Sequence, residues 1–365
     1  MIEFKRAVIK KELFSRPGIK GFTAFFEGKE EACIAYPDLV GEIEPGQEVL
    51  INTTAQTLGL GTGGYHYIIA NLDGYNRELQ PGGHIMKLRY TPMQIKVLSV
   101  EEEDSPYHGE MVKADSLDGI PVLAGTLHSM LAPLCIYLRD SGLRIVYVMT
   151  DGAALPIAFS NNVDWLKREG LLAATVTTGH SFGGDLEAVN IYSGMLAARR
   201  VAGADIIITA MGPGIVGTGT RWGFSGVEQG EILNAVDTLG GKAIAIPRIS
   251  FSDSRARHRG ISHHTLTVLS RICRIKAIVP LPQLKIEQMN LLMGQLLREK
   301  IVDRYQICLE DGTEDLRLLE ECGLKITTMG RGPDAEREFF LTLAAAARTA
   351  RKVIDGEDLQ TIGLA

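Results

Sequence analysis

The sequence predicts an α/β protein: a mostly parallel, doubly wound sheet preceded by a small N-terminal β barrel or sandwich domain. Three observations carry that prediction. Up to about residue 100, short runs of β-branched and aromatic residues are separated by turn signals. Beyond them, continuous apolar runs alternate with helical stretches, as in a sheet buried on both faces. The length, 365 residues, suits two domains, and 45% hydrophobic with 22% charged residues is the balance of a soluble globular chain.

The N-terminal strands are Lys5 to Lys11, Gly21 to Phe26, Ala32 to Ala35, Glu48 to Thr53 and Tyr65 to Ala70. Arg16-Pro17-Gly18, Glu27-Gly28, Tyr36-Pro37-Asp38 and Glu44-Pro45-Gly46 punctuate them. Ile85 to Val100 is expected to continue the sheet. The acidic run Glu101 to Asp104 and Ser105-Pro106 mark the boundary, giving domains 1–104 and 105–365.

In the second domain the expected strands are Pro121–Ala124, Arg144–Met149, Ala173–Thr177, Asp205–Ala210, Lys242–Pro247, Ala277–Pro280, Tyr305–Leu309 and Lys325–Thr328. The clearest helix runs from Leu186 to Val201, with Asp185 in its first turn and Gly203 after Arg199-Arg200. Others cover Leu127 to Arg139, Glu228 to Leu239, Leu266 to Arg274, Leu284 to Lys300 and Ala335 to Ile354.

Net charge is −6, which argues against a uniformly basic nucleic-acid binder. The charge is uneven. Arg248 to Lys276 holds seven Lys/Arg and one acid, Asp253, so this segment carries +6 and the remainder −12. A local anionic ligand is the simplest reason for such an island. Five scattered cysteines without C-x-x-C indicate neither a disulfide framework nor a zinc ribbon. The N-terminus has no apolar signal segment, and no run of about 18 apolar residues occurs. A cytoplasmic protein without a membrane partner is the expectation; a homo-oligomer is left open.

In open α/β sheets, ligands bind outside the carboxyl ends of the strands. The loops there are unusual as a set. They include Gly125-Thr126-Leu127-His128-Ser129, Thr150-Asp151-Gly152, Gly179 to Asp185, Gly212 to Arg221, Ser250 to His264 and Gly330-Arg331-Gly332. Five of the eight histidines, His128, His180, His258, His263 and His264, fall in them or in the turns directly after.

Gly212, Gly214 and Gly217 form G-x-G-x-x-G after a strand. A dinucleotide fingerprint would also need a helix starting inside the motif and an acid ending the next strand. Both are missing, so the expectation is an anion-binding nest with Thr218, Gly219, Thr220 and Arg221, or simply a loop needing several left-handed residues. Gly179-His180-Ser181-Phe182-Gly183 matches G-x-S-x-G, with a strand before and a helix expected after. A serine hydrolase with Ser181 as nucleophile is therefore the alternative. It lacks an H-G-G-G-type oxyanion segment. The plainer reading is a helix N-terminus with Ser181 near the cap and Asp185 facing the macrodipole.

Asp185, Asp253 and His264 are the metal candidates, with His180, Asp151, His258 and His263 in the wider inventory; a divalent metal is left open. Adjacent His263-His264 are not expected to face one point easily. Arg255, Arg257 and Arg259 concentrate guanidinium groups suited to phosphate or carboxylate. Gly59 to His66 is either a lid or a β turn.

Several longer motifs stand out together: Leu50 to Thr54, Gly59 to Gly64, Val148 to Pro156, Phe182 to Val189, Gly217 to Gly226 and Arg257 to His264. They resemble an uncharacterised bacterial family of unknown function, the one numbered three-eight-six-six, over nearly the whole chain. The resemblance implies a bacterial, cytoplasmic protein and brings no activity or catalytic residue with it.

The leading functional expectation is an enzyme or ligand-binding protein for a small anionic, phosphorylated ligand. Arg221, Arg255, Arg257 and Arg259 hold the anion, the backbone of Gly212 to Gly219 cradles it, and His180 or His258 moves a proton. Asp151 and Asp185 orient a histidine or hold a metal. A non-enzymatic nucleic-acid module is the third and weakest reading.

Overall fold

The computed structural model describes residues 1–61, 63–74 and 76–362. Thr62, inside the Gly-rich stretch expected as a lid or turn, lies outside them. The chain divides into two compact units: residues 1–82 with 88–96, and residues 83–87 with 97–365.

The first unit holds a closed barrel of β1 (Phe4–Arg16), β2 (Ile19–Phe26), β3 (Lys29–Ala35), β4 (Glu48–Asn52) and β5 (His66–Asn71), in the order β1-β2-β3-β5-β4. The Glu27-Gly28 turn joins β2 to β3 with both residues left-handed (φ 50° and 80°), the twist that a two-residue hairpin favours. Alternate residues point inward: Ala7 and Ile9, Phe22, Ala24 and Phe26, Val49 and Ile51 form the barrel core. Short β6 (Ile85–Lys87) and β7 (Ile95–Val97) do not join the barrel, so the expected continuation of that sheet is absent.

In the second unit, β8 (Pro121–Ala124), β9 (Ile145–Thr150), β10 (Ala174–Thr177), β11 (Leu186–Glu187), β12 (Ile206–Met211), β13 (Lys242–Ala245), β16 (Ile278–Pro282) and β17 (Gln306–Glu310) form one sheet. Its order is β11-β10-β9-β12-β8-β13-β16-β17. All its pairings are parallel. Between β13 and β16, the two-residue strands β14 (Ile249–Ser250) and β15 (Gly260–Ile261) pair antiparallel and close the basic loop at its base.

Neighbouring residues on each strand serve opposite faces. Val146, Val148, Ile207 and Ala243 pack in one core with Met195, Ala197, Leu233 and Val236 of the helices Ile191–Arg200 and Glu228–Thr238. Ile145, Tyr147, Ile208 and Ile244 pack in the other with Leu134 and Phe340 of the helices Leu131–Tyr137 and Arg337–Asp355. This double burial is why these strands read as unbroken apolar runs.

Three expected elements differ. Lys325–Thr328 is not a strand; Thr328 makes only an isolated bridge to Arg331, while Ile326 plugs the second core. The eighth strand is instead β11, where a helix start was expected. Asp185 accepts from the backbone and hydroxyl of Thr175 (both 2.9 Å) rather than facing a helix end. The helix begins at Ile191 under a capping box formed by Asn190 and Ser193. The helix expected from Leu266 begins at His263, with Ser262 as N-cap, and widens to a π-turn over Val268–Ile272. Among the described residues no helix is long and apolar enough to cross a membrane.

Candidate functional site

Because the sheet is parallel, the loops after β8, β9, β10, β12 and β13 open at one edge. The loops after β12 and β13 meet in a cavity of about 150 Å³. It is lined by Gly217 and Gly219, by Arg248, Arg255 and Arg257, by His258 and His264, and by the apolar Leu127, Ile215, Val216 and Met329.

Arg248 lies between β13 and β14, directly before Ile249, and is buried. Its Nη1 donates to His258 Nδ1 at 2.9 Å and its Nη2 to Asp253 Oδ2 at 3.1 Å. Asp253 also accepts from Arg255 Nε at 2.9 Å and Nη2 at 2.8 Å. The Arg255 hydrogen bonds hold the Asp253 carboxyl below the ordinary carboxylate range. Asp253, expected as a metal candidate, is thus the clamp that fixes two guanidiniums. Three arginines against one carboxylate leave the cavity with an excess of two positive charges (3 − 1 = 2).

His258, His263 and His264 cluster with their rings tilted or edge-on to one another, centroids 4.2–5.1 Å apart. His264 also lies flat on Phe224 at 4.0 Å. Burial, then Arg248 and Arg255, pushes His258 down to about 4. Burial and its two histidine neighbours push His264 down to about 3. Burial, then Arg257, lowers His263. All three are neutral imidazoles at pH 7.

Their nitrogens lie within 4.8 Å of one another, close enough to hold a metal, and His263 Nε2 is buried without a hydrogen-bond partner. His263 and His264 therefore do face a common point, contrary to the expectation, because the helix begins at His263 and both rings lie against Phe224. The surroundings nevertheless suit a cation poorly. A guanidinium only donates, so His258 Nδ1 must accept and the hydrogen of the neutral ring sits on Nε2. Ligating histidines instead donate their second nitrogen to an acceptor. Asp185, another metal candidate, is engaged by Thr175 and Lys167 beside β10.

The Gly-rich loop folds as a hairpin. Gly217 bridges Phe224, and Thr218 N–H donates to Gly223 O at 2.8 Å. The hydroxyls of Thr218 and Thr220 are 3.0 Å apart and close the turn rather than the cavity. A Cβ at Gly223 would lie 2.3 Å from Thr218 Oγ1, so only glycine fits there. Gly212 is needed for another close approach: its Cβ would lie 2.3 Å from Ala154 O. Neither Gly212 nor Gly214 lines the cavity. Arg221 is exposed on the hairpin, and Arg259 lies 5.9 Å from the Phe251 ring; neither is a lining residue.

The loop after β10 lies farther along the same edge. Phe182 N–H donates to Leu155 O at 3.0 Å, and Ala154 N–H to Pro213 O at 3.0 Å, linking it through the β9 loop to the β12 loop. His180 backbone N–H donates to Asp151 Oδ2 at 2.8 Å. No helix follows Gly183. Ser181 is fully buried, its Oγ 2.7 Å from Thr178 O and 3.0 Å from Met149 O, and it accepts from Thr178 N–H. The strand-to-helix setting of a nucleophile elbow is missing, and the hydroxyl ties two strand ends together. His128 is a core residue, with Nε2 2.6 Å from Ser160 Oγ and burial lowering it to about 4.

Sequence reasoning named Arg248 only within the basic island and Glu228 only as a helix start, and gave neither a place at the site. Glu228 starts the helix Glu228–Thr238 and accepts from Thr150 Oγ1 at 2.7 Å. Burial pushes it up to about 7, with Asp151 and Glu231 adding to the rise. Its folded value lies above its unfolded one, so its contribution to stability is full below about pH 4.5 and is lost as pH rises through 7. Glu228→Gln, which keeps the acceptor for Thr150, is expected to stabilise the protein by about 2 kcal/mol at pH 8 and to change little at pH 4.5. Denaturation midpoints at the two pH values check this; equal shifts at both would refute the buried protonation.

No functionally curated protein matches this chain. The model of a family described as a protein of unknown function (DUF3866) matches residues 32–347. That span is most of the 365 residues, and the chain belongs to this family.

Proposed function

We propose that the protein binds a small anionic group, phosphoryl or carboxylate, in the cavity between the β12 and β13 loops, and moves a proton to or from it. The observation that carries this reading is the meeting of Arg248, Arg255 and Arg257 with two neutral imidazoles, His258 and His264, around a single space. Guanidiniums offer paired donors matched to carboxylate and phosphate oxygens. The imidazoles supply groups able to accept or donate a proton near neutrality once an anion offsets the arginine field. Hydrolysis or transfer of the anionic group is the reaction class this would serve.

Arg257→Ala is the cleanest test, because Arg257 is exposed and has no ion pair among the described residues. Calorimetry with inorganic phosphate and with acetate should show at least a tenfold loss of affinity, about 1.4 kcal/mol. Arg259→Ala, outside the cavity, should bind as the parent does. Unchanged affinity in Arg257→Ala would remove the assignment.

A further inference from the structure

We infer that the anionic group belongs to a ligand with an aromatic body, which lies across the mouth of the cavity while the charged end fills its floor. This rests on the anion reading above.

Size is the first argument. About 150 Å³ is small beside the roughly 300–1,000 Å³ of pockets that enclose a whole small molecule. The floor takes a head group, and whatever the head group is attached to must emerge.

Composition is the second. The floor is buried and carries the Arg248 charge beside the neutral His258. The mouth is apolar and open: Val216 is 61% exposed and Met329 53%, and both line the cavity. Trp222, 57% exposed, rides on the hairpin whose other limb supplies Gly217 and Gly219. Single exposed apolar side chains are ordinary. Two large ones lining one charged cavity, with a third on the hairpin that supplies its wall, are a patch of the kind that marks a binding groove.

Backbone geometry is the third. Met329 sits at φ 49° and Gly330 at φ 79°. Thr328 and Arg331 exchange backbone hydrogen bonds at 2.9 Å in both directions. This is a tight turn with two left-handed central residues, where Asn, Asp or Gly is preferred. A methionine there is held outward at a conformational cost, and such strain clusters at ligand clamps. A thioether and an indole both favour aromatic partners.

The test is calorimetry on the full chain with two ligand pairs: phenyl phosphate against inorganic phosphate, and benzoate against acetate. The pair that binds identifies the head group. Within it, the aromatic member should bind at least tenfold tighter. In Trp222→Ala and Met329→Asn, the second of which suits the left-handed turn, that ratio should fall toward one while the melting temperature stays near the parent's. Equal affinities within the binding pair would overturn the aromatic body and leave the anion site standing. If no member of either pair binds, both readings fall.

Discussion

Sulfate affinity is expected to rise by up to about tenfold per pH unit as the pH falls from 7 to 5, and to be flat above 7. Sulfate does not titrate in this range, so the dependence reports the protein. His258 and His264 are held down to about 4 and 3 by burial and by the charges around them. The groups concerned are Arg248, Arg255 and Arg257, each other's rings with His263, and Asp253 on the opposing side. A bound anion about 4 Å from an imidazole is worth about 4 kcal/mol at an effective dielectric of about 20. That is about three pKa units. It brings His258 from about 4 to roughly 7, so binding takes up a proton below that pH. The bound state has the higher pKa, hence affinity is greatest in acid and declines as pH rises through 7. Arginines alone stay charged throughout and would give a flat profile. Calorimetry at half-unit pH steps distinguishes the two, and a flat curve would mean that the imidazoles do not face the anion.

Lys87→Ala is expected to cost about 3–5 kcal/mol of stability, the loss typical of breaking one side of a buried ion pair. Lys87 is wholly buried, and its Nζ donates to Glu187 Oε2 at 2.6 Å, Ser181 O at 2.6 Å and Thr177 O at 3.1 Å. Removing it takes a donor from Ser181 O and the counter-charge from Glu187, while Thr177 O keeps the Ala188 N–H and the carboxylate keeps Thr177 Oγ1 and the Gly183 N–H. Burial already raises Glu187 with the lysine present. Without it Glu187 is driven further toward the neutral form, so the loss should be smaller at pH 5 than at pH 8. Lys87→Met combined with Glu187→Leu removes both charges and should recover much of the loss. Thermal and urea denaturation of the three proteins measure this. A single-variant loss below about 1 kcal/mol would show that the pair is not a structural tie.

The fold was legible where local pattern and tertiary burial agree. Ile145 to Met149 and Ile206 to Ala210 read as strands because both faces are covered. The barrel read well because Arg16-Pro17-Gly18 and Glu27-Gly28 break it where the backbone turns left-handed. Leu186–Glu187 misled because the acid before it looks like a helix start, whereas its carboxylate serves the neighbouring strand. At the site, Arg255, Arg257, His258, His263, His264, Gly217 and Gly219 were identified from loop composition. Arg248 and Glu228 were not singled out as site residues. Their importance comes from what each one meets in space, the loop residues Asp253 and His258 for the first and the β9 end at Thr150 for the second, and no spacing in the chain encodes that. Thr218, Thr220, Arg221 and Arg259 shared the composition but not the position.

The allocation of residues 83–87 to the parallel-sheet unit, with barrel-unit residues on both sides, has a consequence for anyone handling this protein. The polypeptide crosses between the units three times, after residues 82, 87 and 96. A protease nick after residue 82 divides the barrel unit itself, leaving residues 88–96 on the fragment that carries the parallel sheet. An excised barrel spanning residues 1–96 would carry Lys87 away from its carboxylate, so transplanting that module intact would require a replacement lace for the scaffold left behind.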